Sequence, residues 1–233
     1  MANKRSSVVV TGANRGIGLE LVSQYLADDW QVYGCCRRPE LATQLAGLAS
    51  NSALSIHQLD VGHPGSVKKL ALALSEQSID LLINNAGIYG GERQSFGDID
   101  YAQWTRVLEV NTLGPYRVST ALANPVGNSE QRLIVNVSSA MGSIERYTTG
   151  GHYIYRSSKA ALNMVTVNLA HDLRSRGITV LSVHPGWVRT DMGGSSADIS
   201  PRTSAAGLRQ LISNATIKDS GRFFSWDGSA LPW

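Results

Sequence analysis

Residues 7–18 read Ser7-Val8-Val9-Val10-Thr11-Gly12-Ala13-Asn14-Arg15-Gly16-Ile17-Gly18. The first five form an apolar, β-branched run with the character of a buried strand. Glycines then stand at 12, 16 and 18. Glycine permits a tight turn, and without a Cβ its backbone can approach another group closely. Residues 16–28 carry the pattern of a helix. A helix starting at this turn points free N–H groups and the positive end of its dipole at the strand end, which suits a pyrophosphate. Placement between a first strand and a first helix argues against an ordinary loop.

Moving outward, the alternation continues. Gln31–Cys36 reads as a second strand, with a helix beginning near Pro39. Further strands are predicted over 54–59, 79–84, 133–138 and 178–184, and a short one over 221–226. Helices are predicted over 64–76, 101–123 and 153–176. In the last of these, Ile154, Ala161, Leu162, Val165, Leu169 and Leu173 form an apolar stripe that fits one face packed on a sheet. Strands separated by helical crossovers imply a doubly wound α/β domain, its parallel sheet covered on both faces. The polar, glycine-rich stretch 193–201 reads as a mobile loop rather than a domain boundary.

Composition narrows the function classes. The 233 residues are 42% hydrophobic and 17% charged, which describes a globular chain. The net charge is +3, and basic residues occur singly or in pairs such as Arg37–Arg38 and Lys68–Lys69. Neither a nucleic-acid nor a membrane partner is expected. The two cysteines, Cys35 and Cys36, are adjacent and badly placed to bridge each other. The five histidines are scattered and no CxxC exists, so no metal is expected. No apolar run approaches the roughly 18 residues of a membrane helix. The first strand begins within a few residues of Met1, so a cytoplasmic, reducing setting without a signal peptide is expected.

The glycine spacing is TGxxxGxG. In order along the chain it is followed by Asp60-Val61, Asn84-Asn85-Ala86-Gly87, Asn111, Ser138-Ser139, Tyr155-Arg156-Ser157-Ser158-Lys159, Pro185-Gly186 and Thr190. This series, running through much of the chain, resembles the short-chain dehydrogenase/reductase family. The stretch 155–194 and the ending Trp226-Asp227-Gly228 are similar to its C-factor and sniffer-type carbonyl reductases. The resemblance implies a single Rossmann domain over 1–233, with a sheet of about seven strands. It also implies a bound nicotinamide dinucleotide. Gly12, Asn14, Arg15, Gly16, Ile17 and Gly18 would hold its phosphates, and Asp60 with Val61 would meet the adenine. Asn85, Ala86 and Gly87 would line the adenine-ribose edge. Pro185, Gly186, Val188 and Thr190 would lie toward the nicotinamide. Asp60 has an equally reasonable reading as a cap on the following helix.

Charge speaks to the cofactor. Relatives that prefer NAD carry an acidic residue at the end of the second strand. Here Cys36 stands there, followed by Arg37, and Arg15 lies in the glycine turn. A carboxylate would repel the 2′-phosphate of NADP, whereas guanidinium groups can grip it. NADPH is therefore the expected cofactor. The alternative is two solvent-facing arginines.

The resemblance assigns catalysis to Tyr155 and Lys159, which are four apart on a predicted helix and share a face. A free phenol titrates near about 10. A neighbouring ammonium and an oxidised nicotinamide are expected to lower that value. Tyr153 has no lysine four residues later. Ser139 is expected to polarise the substrate oxygen, with Ser138 as its rival; Ser139-Ala140-Met141-Gly142 fits the family's Ser-x-x-Gly. The interval from Ser139 to Tyr155 is longer than usual in the family, with an insertion around 145–151. By the same resemblance, Asn111 is expected to hold a helix distortion and a water leading to Lys159, or else to be a capping or structural asparagine.

The implied activity is reduction of a small-molecule carbonyl, an aldehyde, ketone or quinone. Segments 88–94, 143–154 and 187–201 would form the pocket, offering Tyr89, Tyr147, Tyr153, Trp187 and Met192. A cofactor-binding regulatory or signalling protein is the alternative, although the full set Asn111, Ser139, Tyr155 and Lys159 argues against it. A sugar-nucleotide epimerase or dehydratase would need more chain. By analogy, the two long helices would pair between subunits in a homodimer or homotetramer.

Overall fold

The three valines of the first strand divide the molecule's core. In the computed structural model, which describes residues 5–233, β1 (Ser7–Thr11) is buried along its whole length. Successive strand side chains point to opposite faces of a sheet. Val8 and Val10 accordingly join one hydrophobic cluster and Val9 the other. Positions 1–4 of the expected domain lie outside the described residues.

In chain order the remaining strands are β2 (Gln31–Cys36), β3 (Leu54–Gln58), β4 (Leu81–Asn84), β5 (Gln94–Ser95), β6 (Asp98–Ile99), β7 (Leu133–Val137), β8 (Thr179–His184) and β9 (Phe223–Ser225). Seven form one sheet in the order β3-β2-β1-β4-β7-β8-β9, and every neighbouring pair is parallel. The short β5 and β6 pair only with each other, antiparallel. The register aligns Tyr33, Val9, Leu82, Ile134 and Val180 in a row on one face. This is the single-domain doubly wound α/β architecture that the alternating pattern implies.

Helix α1 (Gly16–Ala27) covers the Val8/Val10 face. On the opposite face, α3 (Pro64–Ala73) contributes Val67 and Leu70 to the Val9 cluster. Between these helices the chain forms a turn at Pro39–Leu41 and a short α2 (Thr43–Gly47), less than the helix expected from Pro39.

The expected helix over 101–123 is interrupted. It runs as α4 (Tyr101–Leu108), a π-helical turn Glu109–Leu113, and α5 (Gly114–Ala121), followed by α6 (Ala123–Gly127). The wider turn places Val110, Asn111 and Thr112 in the interior. Helix α7 (Tyr153–Asp172) ends before Arg176, and Gly177, at φ 69°, closes the turn after it.

Helix α8 (Pro201–Asn214) was not anticipated by the strand-and-helix reading. Its signals are Ser200, whose hydroxyl accepts from Thr203 N at 3.1 Å, and a proline in the first turn. Ala205, Leu208 and Ile212 are buried at helical spacing in the cluster shared with α1. The pocket segment 187–201, whose stretch 193–201 reads as a mobile loop, is tied to itself. Val188 bridges Ile199, and the Arg189 guanidinium donates to the carbonyls of Ala197 at 2.9 Å and Asp198 at 2.8 Å. Among the described residues, no helix is long and apolar enough to cross a membrane.

Candidate active site

The strand order reverses between β1 and β4, so their carboxyl ends open a crevice of the kind in which such sheets bind ligands. The glycine turn sits there. Gly12 has φ 68°, and a Cβ on it would lie 2.9 Å from the Ala86 Cα. A Cβ on Gly18 would lie 2.3 Å from the Gly12 carbonyl oxygen. Gly16 has φ 57° and faces the Thr190 methyl, 3.2 Å from where its Cβ would be. The turn is fastened to the segment after β4. Thr11 Oγ1 accepts from Asn85 N and Ala86 N, both at 3.0 Å, and Asn85 Nδ2 donates to the carbonyls of Thr11 at 2.9 Å and Gly12 at 3.2 Å. Asn85 is thus spent on the turn itself. Thr11 is a positioning residue absent from the candidate set, although it heads the TGxxxGxG motif.

Helix α1 starts with Arg15 in extended backbone, no side-chain cap and no acid in its first turn. Its leading N–H groups are left for an anion. Asn14 and Ile17 are partly exposed on the same turn. At the end of β2, Cys36 is buried and Arg37 exposed, so neither residue at the strand's end is a carboxylate. These features fit a phosphorylated dinucleotide. Arg15 itself is ion-paired with Asp191 of the 187–201 segment.

Asp60 Oδ1 accepts from Gly62 N at 2.9 Å, and its Oδ2 faces Arg106 at 3.3 Å. It does not cap α3: His63 does, accepting from Ser66 N at 3.2 Å. Val61 is buried against Gly114. Gly87 lies beside both Asn111 and Lys159, its Cβ position 3.3 Å from Asn111 Oδ1 and 3.6 Å from Lys159 Nζ. Past β8, the Pro185 carbonyl accepts from Ser204 at 2.6 Å, and Gly186 takes φ 87°. Val188 is buried, and Thr190 Oγ1 accepts from Gly193 N at 3.2 Å.

Tyr155 and Lys159 are both buried in the first turns of α7. Lys159 Nζ donates to the Val137 carbonyl at 2.8 Å and lies 5.7 Å from the centre of the Tyr155 ring. The expected lowering depends on a bound oxidised nicotinamide; in the protein alone the phenol lies above its ordinary value. Burial pushes it up to about 12, opposed by the neighbouring Ser139 side chain. Burial also brings Lys159 down to about 8.

The two serines separate by their partners. Ser138 Oγ donates to Asn163 Oδ1 at 2.7 Å, deep in a network that includes Ser182. Ser139 accepts from Met141 N at 3.1 Å and is the serine beside Tyr155. Asn111 lies in the π-helical turn. It accepts from Ile88 N at 2.9 Å and donates to Ile88 O at 2.8 Å and Ser158 Oγ at 3.1 Å. Ser158 donates to the Tyr155 carbonyl at 2.7 Å. The fold therefore gathers Asn111, Ser139, Tyr155 and Lys159 around the carboxyl ends of β4 and β7. Ser158, inside the Tyr155–Lys159 motif, links Asn111 to the Tyr155 carbonyl, and Asn163 holds Ser138 and the Gly142 carbonyl; neither role is marked by the spacing of the motif.

A family model described as short chain dehydrogenase matches residues 6–199. The chain belongs to the short-chain dehydrogenase/reductase family. Within that family, the C-signal of Myxococcus xanthus is 43% identical over 155 residues, spanning 66% of this chain and 93% of that protein. The 1-hydroxy-2-glutathionyl-2-methyl-3-butene dehydrogenase of Rhodococcus sp. (strain AD45) is 37% identical over 98% of this chain and 100% of its own. The short-chain dehydrogenase/reductase fold is shared with an NADPH-bound carbonyl reductase from chicken fatty liver, with TM-score 0.92 and 37% identity over 99% of this chain and all of that one. The carbonyl reductase Sniffer of D. melanogaster matches with TM-score 0.93 and 34% identity at the same coverage.

Proposed function

We propose that the protein reduces the carbonyl group of a small molecule to an alcohol using NADPH, with Tyr155 delivering the proton. The observation that carries this reading is the buried Tyr155 phenol beside Ser139 and Lys159, at the crevice onto which the uncapped α1 opens. The NADPH bound by the chicken carbonyl reductase supports the cofactor choice.

NADPH, when bound, supplies the hydride. The chain supplies the rest. Ser139 donates a hydrogen bond to the carbonyl oxygen. As the carbonyl π bond breaks and charge gathers on that oxygen, Tyr155 Oη gives it a proton, leaving an alcohol and a phenolate. The Lys159 ammonium favours that phenolate electrostatically. Asn111 fixes Ile88 beside the site. The glycine turn and α1 hold the phosphates, and Arg37 and Arg15 receive the 2′-phosphate. Tyr89 is half-buried, whereas Tyr147, Tyr153, Trp187 and Met192 are exposed, so the site is open and suits aldehydes, ketones or quinones. Segment 187–201 forms its outer wall. Exposed Tyr116 on α5 and Met164 on α7 fit pairing of these helices between copies in a dimer or tetramer.

The 43% identity to a protein named C-signal favours a second reading, a dinucleotide-binding regulator with little turnover. A panel of aldehydes, ketones and quinones, followed by NADPH absorbance, separates the two. Turnover abolished by Tyr155→Phe is the expected result. Tight NADPH binding without turnover of any compound selects the regulator.

A further inference from the structure

Gln94 is a buried polar residue, 2% exposed, in the two-residue strand β5. Its amide makes three backbone contacts. Nε2 donates to the carbonyls of Tyr89 at 3.1 Å and Gly91 at 2.7 Å, while Oε1 accepts from Tyr155 N at 2.9 Å. That N–H belongs to the first turn of α7, where helical donors lack intrahelical partners. The residue at the cap position, His152, has φ 54° and makes no side-chain cap. The orphan donor is satisfied instead by a side chain 61 residues away.

The segment between is held at both ends. Asn111 takes both backbone groups of Ile88, and Gln94 takes the carbonyls of Tyr89 and Gly91. Tyr89 sits in the middle, its ring 5.0 Å from the Tyr155 ring and its hydroxyl 2.6 Å from His152 Nδ1. One amide thus ties the wall of the site to the residue proposed to deliver the proton.

We propose that Gln94 is a positioning residue whose acceptor oxygen holds Tyr155 and whose donor nitrogen holds the Tyr89 wall, so that the two halves of one amide govern turnover and substrate fit separately. This rests on Tyr155 being the proton donor. Small displacements of a reacting group are costly, about 100-fold for 1 Å. The Gln94 side chain's hydrogen bonds go to Tyr89, Gly91 and Tyr155 and not to the glycine turn, so coenzyme binding should not depend on them.

Two variants divide the roles. Gln94→Leu removes both halves. Gln94→Glu keeps an acceptor for Tyr155 N, but its buried carboxyl takes up a proton and can donate to only one of the two carbonyls, leaving the other without a donor. Exchange of the Tyr155 amide by NMR is read alongside steady-state kinetics and NADPH affinity, with Gln94→Met replacing the leucine variant if that fails to fold. Expected for Gln94→Leu are Tyr155 amide exchange faster by about tenfold or more and kcat lower by about 10- to 100-fold, with NADPH affinity unchanged. Expected for Gln94→Glu are a protected Tyr155 amide, kcat within about threefold, and a carbonyl KM raised about tenfold. A folded Gln94→Leu with wild-type amide protection overturns the proposal, as does lost protection with unchanged kcat. If the wild type turns over no carbonyl, the proposed activity falls. The exchange arm alone then decides whether Gln94 holds Tyr155.

Discussion

The Lys159 ammonium donates to the Val137 carbonyl while standing 5.7 Å from the centre of the Tyr155 ring. Burial acts on both groups, in opposite directions. It holds the phenol protonated, up at about 12, and brings the lysine down to about 8. Desolvation disfavours whichever form is charged, so a buried acid rises and a buried base falls. At neutral pH the chain therefore keeps the Tyr155 phenol protonated, the form that the proposed carbonyl reduction requires.

Tyr155→Phe keeps the ring and removes the hydroxyl that carries the proton. Its kcat for carbonyl reduction should fall to less than about a tenth of the wild-type value while NADPH affinity stays within about twofold. Steady-state rates and fluorescence titration with NADPH check this. Higher residual turnover would remove Tyr155 from the proposed role.

Lys159 couples stability to pH. Its folded pKa of about 8 lies below the ordinary 10.5, so between these values the unfolded chain binds more protons. Stability should rise with pH through that window, and be lost as pH falls back through about 8. Lys159→Met removes this contribution. Urea midpoints of the two proteins, compared from pH 7 to pH 10.5, should shift steadily in favour of the wild type. Parallel profiles would mean that the lysine is not depressed.

Coenzyme choice should follow the charge at the end of β2. Arg37→Asp places a carboxylate where the 2′-phosphate is proposed to sit and should reverse NADPH preference, raising the NADPH KM by about tenfold or more. Asp191→Asn frees Arg15 from its ion pair and should lower that KM slightly, since exposed pairs are worth about 1 kcal/mol or less. Equal kcat/KM for NADPH and NADH in the wild type would defeat the assignment.

Two glycine substitutions should differ in sign. Gly18→Ala brings a Cβ to 2.3 Å from the Gly12 carbonyl and 2.6 Å from Asn85 Nδ2. It should cost about 1–3 kcal/mol and weaken NADPH binding as the turn shifts. Gly47→Ala meets nothing within 4 Å and should stabilise α2 by about 0.5 kcal/mol. Thermal melts of both variants test the pair.

Much of the fold was legible because burial on both sides writes itself as uninterrupted apolar strands. Val8–Val10, Leu81–Ile83 and Val180–Val183 needed no tertiary knowledge. Helix α8 is not legible locally because its strongest signals, Ser200 and Pro201, also read as the end of a loop. The interruption at Glu109–Leu113 follows from how Asn111 meets Ile88, a contact between segments 23 residues apart, and local propensity does not register it.

The sequence by itself determined the parallel sheet, the glycine turn and the pairing of Tyr155 with Lys159 on one helical face, because each depends on periodicity or on groups a few residues apart. Tertiary structure alone decided how Gln94 caps α7, where Asn163 holds Ser138, and how far burial raises the Tyr155 phenol in the protein alone. Those outcomes depend on desolvation and on hydrogen-bond partners brought together from distant segments. Neither exists until the chain has closed around them.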